Sequence, residues 1–284
     1  MQKYKALLAE IDDFRSVIRA RATDLAKGFV IEYAHQSVAI EHNPLKLGDA
    51  IKIFGILNKR VFESINLTSM SAQDLFKLSL PNLGANPDSS AANELKNQLV
   101  ISQWVAENAG TASQEGTPGL REDEVKHLTA RSVKDTNAED VYNMSWGGRV
   151  PLGGYRLAPI GVASNPLRIF PYPQEVPACV ERFFQWRDSQ HKGKEIHPLI
   201  HACHLMAYFV HIHPFPDGNG RMSRTLMHDY MVRQGYLPVV FQNLDRRDYI
   251  RMIESCHCGD PEEFVLAVLM TQLEQLSTFY MDGS

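Results

Sequence analysis

His213-Pro-Phe-Pro-Asp-Gly-Asn-Gly-Arg-Met-Ser-Arg224 is the stretch on which the reading of this chain turns. It sets a histidine, a carboxylate, a Gly-Asn-Gly turn and two arginines within one short loop and the start of a helix. A helical pattern from Pro198 to about Ile212 leads into it, with Pro198 suited to a first helical turn. A second pattern, Arg221 to Gln234, leads out and ends at Gly235, a C-cap residue by type and place. A loop this polar between two amphipathic segments is hard to explain as scaffolding.

The loop's chemistry follows from its residue types. Gly218, Asn219 and Gly220 can turn the backbone so that amide N–H groups converge, and the positive end of the next helix adds to them. That combination suits phosphate oxygens. Arg221 can neutralise a phosphate, and Arg224, one turn later on the same face, can reach a second one bidentately. Asp217 is a hard oxygen ligand for Mg²⁺, which takes one or two carboxylates and completes its shell with substrate phosphates. His213 has the pKa range of a general base. Phe215 turns the other way and anchors the loop in the core. Singly these features are weak, since a lone histidine is more often structural and Gly-Asn-Gly usually marks a turn. Their conjunction carries the reading.

Outward from the loop, helical periodicity dominates. Leu7, Ile11, Phe14, Ile18, Leu25 and Phe29 follow an amphipathic helix, and Asp49 to Asn58 shows Ile51, Phe54 and Leu57 on one face. Pro81 to Ser90 and Asn108 to Gly119 read as loops. Glu94 to Glu107, Leu120 to His127, Val180 to Trp186 and Pro261 to about Tyr280 read as helices. Between Gly147 and Pro177 the texture changes to short apolar runs broken by proline and glycine. There Tyr155-Arg-Leu and Leu167-Arg-Ile-Phe flank Ser164-Asn-Pro166, which predicts a β-hairpin. The fold class is all-α, mainly helical, with one small β-hairpin over about 153–172.

Bulk composition bounds the function. The chain has 284 residues, 44% of them apolar and 22% charged, with a net charge of −4. No basic field points to nucleic acid, and no apolar run reaches the roughly 18 residues of a membrane span. The charged start, Met1-Gln-Lys-Tyr-Lys, lacks the apolar stretch of a cleaved signal. Four cysteines are few and fit a reducing compartment. An intracellular soluble protein, cytoplasmic or also nuclear, is expected, bound to neither nucleic acid nor membrane.

The loop resembles the Fic family signature, His-Pro-Phe-x-(Asp/Glu)-Gly-Asn-Gly-Arg-x-x-Arg, at every defined position. The likeness runs through the preceding helix to Pro238 and weakly back to the hairpin. It implies a mostly helical core over residues 111–284 that transfers AMP from ATP to a Ser, Thr or Tyr hydroxyl of a target protein, with Mg²⁺ or Mn²⁺ as cofactor. By that resemblance His213 deprotonates the hydroxyl and Asp217 holds the metal. Gly218, Asn219 and Gly220 hold phosphates, with Arg221 at the α/β region and Arg224 at the γ-phosphate. The hairpin resembles the family's flap, which aligns the target's main chain by strand addition. A homodimer is compatible, since relatives are commonly dimeric.

Ser37-Val-Ala-Ile-Glu-His-Asn43, in a helical region spanning 1–110, resembles the family's inhibitory motif, (Ser/Thr)-x-x-x-Glu-(Gly/Asn), on an inhibitory helix of about 30–43. If Glu41 pairs with Arg224, that arginine cannot serve ATP, so the enzyme is autoinhibited. His42 departs from the pattern, because Gly or Asn there would ease a left-handed turn. The same Glu41 could orient water for AMP removal, an activity of some relatives of this arrangement. Other readings are a metal-dependent phosphohydrolase built on His197, His201, His204, His211 and His228-Asp229, a zinc knuckle fragment at Cys256-His-Cys258, and a docking module with a silenced core.

Overall fold

The computed structural model describes residues 2–82, 90–111, 116–143, 148–162, 165–242 and 244–281. Helices dominate: α1 (Lys5–Ile18), α2 (Ala22–Gly28), α3 (Val30–Ala39), α4 (Leu47–Leu57), α5 (Ala72–Lys77), α6 (Ser90–Ala109), α7 (Glu122–Val133), α8 (Ala138–Asn143), α9 (Val176–Gly193), α10 (Pro198–Ile212), α11 (Asn219–Arg233), α12 (Arg246–His257) and α13 (Glu262–Met281). The chain is therefore all-α, as expected.

Helix α6 is the spine. Leu95, Leu99, Val100, Ile101 and Trp104 are buried, and so are the polar Asn93, Asn97 and Ser102 between them. It touches α2, α3, α4, α7 and α11, so no face is left for water. Two of its buried asparagines bind neighbouring carbonyls: Asn93 donates to the Asp135 carbonyl at 2.8 Å and Asn97 to that of Lys134 at 2.7 Å. Against this spine lies α11, with α10 packed on α11 in turn, and the loop between those two is His213–Gly218. The main hydrophobic cluster runs from Leu8 to Leu276.

The first amphipathic stretch is not one helix. A 3-10 turn at Arg19–Arg21 separates α1 from α2, because α1 packs on α13 while α2 and α3 pack on α6. One straight rod could not reach both. In α4 the buried residues are Ala50, Ile53 and Leu57, whereas Ile51 is 54% exposed. The expected stripe of Ile51, Phe54 and Leu57 is thus rotated, with small Ala50 turned toward α3 and α6. Helix α12 was not legible in the sequence, because only Tyr249, Met252 and Ile253 of its twelve mostly polar residues are buried. Most of the loop expected at Pro81–Ser90 lies outside the described residues, whereas in Asn108–Gly119 only 112–115 do, and the described residues beyond the end of α6 at Ala109 form no helix or strand, as expected.

The expected β-hairpin is not found among the described residues. There is one antiparallel bridge, Val162 to Asn165, and no strand ladder; Ser164 lies outside the described residues. Pro159, Pro166 and Pro171 remove the donors that a ladder needs. Instead Arg156, 3% exposed, ties the segment together. It donates to the carbonyls of His213 (2.7 Å), Ala158 (3.2 Å) and Pro171 (2.6 Å). No helix among the described residues is long and apolar enough to cross a membrane.

Candidate active site

Helix α10 ends at His213, which takes a left-handed backbone (φ 51°, ψ 59°). Such a conformation costs a non-glycine residue about 1–3 kcal/mol and persists only where its surroundings impose it. Here Arg156 grips the His213 carbonyl, and the Phe170 ring lies 4.6 Å from the imidazole, centroid to centroid. Nδ1 is 3.0 Å from the Val210 carbonyl, which can only accept, so Nδ1 carries the proton. Nε2 is left as an acceptor on a ring that lines the cavity. Burial pushes the His213 pKa below its usual 6.5, and the Val210 bond offsets this only in part. The base is therefore neutral under physiological conditions. We expect the acid limb of the pH–rate profile to fall below pH 6.5; a rate already half lost at higher pH would contradict this assignment.

The loop beyond is braced from within. Phe215 is fully buried, 5.5 Å from the Tyr155 ring and 6.3 Å from that of Phe209. The Asn219 amide brackets the Phe215 backbone, accepting from its N–H and donating to its carbonyl, both at 2.9 Å. Asn219 thus shapes the loop with its side chain. Gly218 has φ +90°, and a Cβ there would meet Ser132 Oγ at 3.1 Å. The Tyr142 hydroxyl donates to the Asp217 carbonyl at 2.9 Å.

Two arginines project from the first turns of α11. Arg221, 3% exposed, donates to the Ser132 carbonyl and to Glu94 Oε1, each at 2.9 Å, and to Asp217 Oδ1 at 3.2 Å. Both terminal nitrogens of its guanidinium are thus engaged. Arg224 is buried as well. Its Nε donates to Ser37 Oγ at 3.0 Å, and its Nη2 to the Ser37 carbonyl at 2.7 Å and to Glu41 Oε1 at 2.8 Å. The Tyr249 ring of α12 lies 5.7 Å below it. Burial favours a protonated Glu41, but the charge and hydrogen bond of Arg224 outweigh this and hold its pKa below the usual carboxylate value. The pair is not closed off, because the Glu41 side chain is 36% exposed.

Glu41 sits in a turn just after α3, over the N-terminus of α11. A Cβ on Gly220 would lie 2.3 Å from Glu41 Oε1, so any larger residue there would push the carboxylate from this position. His42 takes the left-handed conformation, φ 68°, that its side chain disfavours. The turn is held nonetheless: Arg246 donates to the Ile40 carbonyl at 2.6 Å, and Asn43 to the Ala91 carbonyl at 2.9 Å.

These groups surround a cavity of about 310 Å³. Glu41, His213, Asp217, Gly220 and Arg224 form its polar side, and Ile160, Val162, Phe170, Ile250 and Ile253 an apolar one. An elongated ligand with an anionic end and a flat apolar end fits that division. No group of three or more metal-ligating side chains occurs among the described residues. Asp217, 43% exposed at the cavity, suits a divalent cation that draws its other ligands from water and a phosphate-bearing substrate.

The other candidate histidines are dispersed. His197 caps α10, accepting from Leu199 N–H at 3.2 Å. His201 lies between the rings of Trp186 and Tyr230, and buried His228 accepts from Val239 N–H at 3.3 Å. Asp229 is paired with Arg233 at 2.9 Å. His204 and His211 border a separate surface hollow with His257, and all four cysteines are free thiols. Neither a phosphohydrolase centre nor a zinc knuckle is assembled from these residues. Reading the sequence missed Glu94, Arg156 and Tyr249, each of which meets a site residue from a distant part of the chain: Glu94 meets Arg221, Arg156 the His213 carbonyl and Tyr249 the Arg224 guanidinium.

Residues 119–231 match the Fic/DOC family. Relatives named Protein adenylyltransferase Fic, from Drosophila persimilis and Drosophila melanogaster, are each 38% identical over 95 residues. The match covers 34% of this chain and 18% and 19% of those proteins, so the chain spans about a fifth of their length. Solved structures extend the likeness at the level of fold. A Fic domain containing signaling protein from Bacteroides thetaiotaomicron VPI-5482 has a TM-score of 0.66 at 18% identity, covering 96% of this chain and 93% of that one. Fic-1 from C. elegans has a TM-score of 0.66 at 19% identity, covering 97% and 71%. Both overlaps take in the N-terminal helices as well as the matched segment.

Proposed function

Because residues 119–231 form a Fic/DOC-family domain, we propose that this protein is an autoinhibited adenylyltransferase, moving AMP from ATP to Ser, Thr or Tyr hydroxyls of target proteins. The observation that carries the reading is the pairing of a neutral His213, Nε2 free to accept, with an Arg224 that Glu41 holds at the same cavity. In this reading residues 111–284 form the catalytic core and residues 1–110 carry the brake.

His213 Nε2 takes the proton of the target hydroxyl as its oxygen attacks the α-phosphorus. The bond to the β-phosphate oxygen breaks, AMP stays on the target and pyrophosphate leaves. Backbone N–H groups at Gly218, Asn219 and Gly220, at the positive end of α11, stabilise charge on the phosphate oxygens. Arg224, once released, holds the γ-phosphate. Asp217 would hold Mg²⁺ or Mn²⁺, and that cation when bound neutralises phosphate charge. Arg221, held between Glu94 and Asp217, orients Asp217 as well as facing the α/β region.

The target chain lies along residues 153–172, where Leu167 and Ile169 are 90% and 82% exposed, and pairs its backbone there. The partners are ATP and such proteins, a homodimer being compatible with this reading, and neither nucleic acid nor membrane takes part in it. Four free thiols support work in a reducing compartment, cytoplasm or nucleus. The test is labelled ATP added to cell lysate with wild type, Glu41→Gly and His213→Ala. Incorporation that rises in the first variant and vanishes in the second supports donor, brake and base together.

AMP removal uses the same groups in reverse. Glu41 orients a water and takes its proton as the water oxygen attacks the AMP phosphorus. The bond to the target's oxygen breaks, and His213, protonated at Nε2 for this direction, gives its proton to the departing hydroxyl oxygen. Wild type with Mg²⁺ should release AMP from a modified target, and Glu41→Gly should not. Equal release by both proteins would exclude this role for Glu41.

A further inference from the structure

We propose that Glu94 is a positioning residue for Asp217, acting through Arg221, and that Asn43 links it to the turn that bears Glu41. The inference rests on the adenylyl-transfer reading, in which Asp217 meets a divalent cation. Four side chains form a continuous line. Asn43 Nδ2 donates to Glu94 Oε2 at 2.7 Å, Arg221 Nη1 donates to Glu94 Oε1 at 2.9 Å, and Arg221 Nη2 donates to Asp217 Oδ1 at 3.2 Å. The line joins the exit of α3, the spine α6 and the first turn of α11.

The arrangement solves a charge problem. If Asp217 were the only carboxylate beside Arg221, the pair would be neutral and a cation would have to compete with the guanidinium. Glu94 adds a second carboxylate on the inner side, 18% exposed against 43% for Asp217. The trio then carries one net negative charge, and Asp217 is the member that opens to the cavity. Arg221 cannot swing away, because Ser132 also accepts from Nη1 at 2.9 Å. The Arg221 contact and the Gly218 N–H bond both fall on Oδ1 of Asp217, which sets the carboxylate's orientation.

Asn43 makes the brake part of this line. It stands two residues after Glu41, and its amide also binds the Ala91 carbonyl of α6 at 2.9 Å. Withdrawal of the Glu41 turn therefore removes a hydrogen bond from Glu94 as well as the partner of Arg224. The brake and the cation site are linked through two routes, one at Arg224 and one at Glu94.

The test compares ATP affinity with and without Mn²⁺ by calorimetry in full-length Glu41→Gly and in the same protein carrying Glu94→Gln, with melting curves to show both are folded. Groups that orient a metal ligand usually control metal affinity by about 10–100-fold, so Glu94→Gln should cut the Mn²⁺ enhancement of ATP affinity by at least about tenfold, with the metal-free affinity little changed. An undiminished enhancement overturns the proposal. If Glu94→Gln does not fold, Glu94→Asp, which keeps the charge on a shorter arm, should show a smaller loss; enhancement equal to the parent would again overturn it. Asn43→Ala, which leaves every charge in place, tests the link to the brake: it should lower the enhancement in the Glu41-containing protein, and no change there excludes the link. Failure of Glu41→Gly itself to bind ATP, with or without Mn²⁺, would count against adenylyl transfer and not against Glu94.

Discussion

Glu41→Gly should raise AMP incorporation about thirty-fold over wild type, on an expected release of about 2 kcal/mol. The magnitude follows from how the pair is buried. Arg224 is almost fully enclosed, but Glu41 is 36% exposed to the cavity. A closed pair would cost about 3–5 kcal/mol to break and a surface pair at most about 1 kcal/mol, so an intermediate value applies. Gain is limited by Ser37, whose hydroxyl and carbonyl still hold Arg224 at 3.0 Å and 2.7 Å after Glu41 is gone. The measurement is initial-rate incorporation of labelled AMP at equal protein concentration. An unchanged rate with unchanged ATP affinity would remove the brake from the description.

His213→Ala in the Glu41→Gly background should lower incorporation by about 10²–10⁴-fold, the usual contribution of a positioned general base. ATP should still bind, because the imidazole is not among the groups assigned to the phosphates. Retained ATP affinity with lost transfer is therefore the distinguishing result. Loss of both would point to a loop that no longer forms, since His213 is also the left-handed residue where α10 stops. No incorporation in Glu41→Gly itself would favour a docking role with a silenced core.

Much of the site was legible because it is local. His213, Asp217, the glycines and both arginines lie within twelve residues, so residue type and helical pitch placed them without knowledge of the fold. The pairing of Ser37 and Glu41 with Arg224, across more than 180 positions, could be anticipated only from family likeness, and the geometry does bring them together. What stayed hidden is what tertiary packing decides. Glu94 looks like an exposed residue of an amphipathic helix until α6 is found buried on all sides. The face of α4 depended on which neighbour it met, and α12 is too polar to announce itself. The hairpin is not found among the described residues for a local reason that could have been weighed, since prolines flank both of its arms.

Gly220 has a consequence for how this protein can change. The space left by its missing methyl group seats the Glu41 carboxylate, 2.3 Å from where a Cβ would stand, and the same space belongs to the phosphate in the proposed active state. A mutation there that evicts the inhibitor also evicts the substrate. Genetic selection for an unregulated variant should therefore find no path through Gly220, and its escape mutants should be found at residues 37–43 instead. Regulation and activity share one seat, so the first can be lost by mutation only from the inhibitor's side.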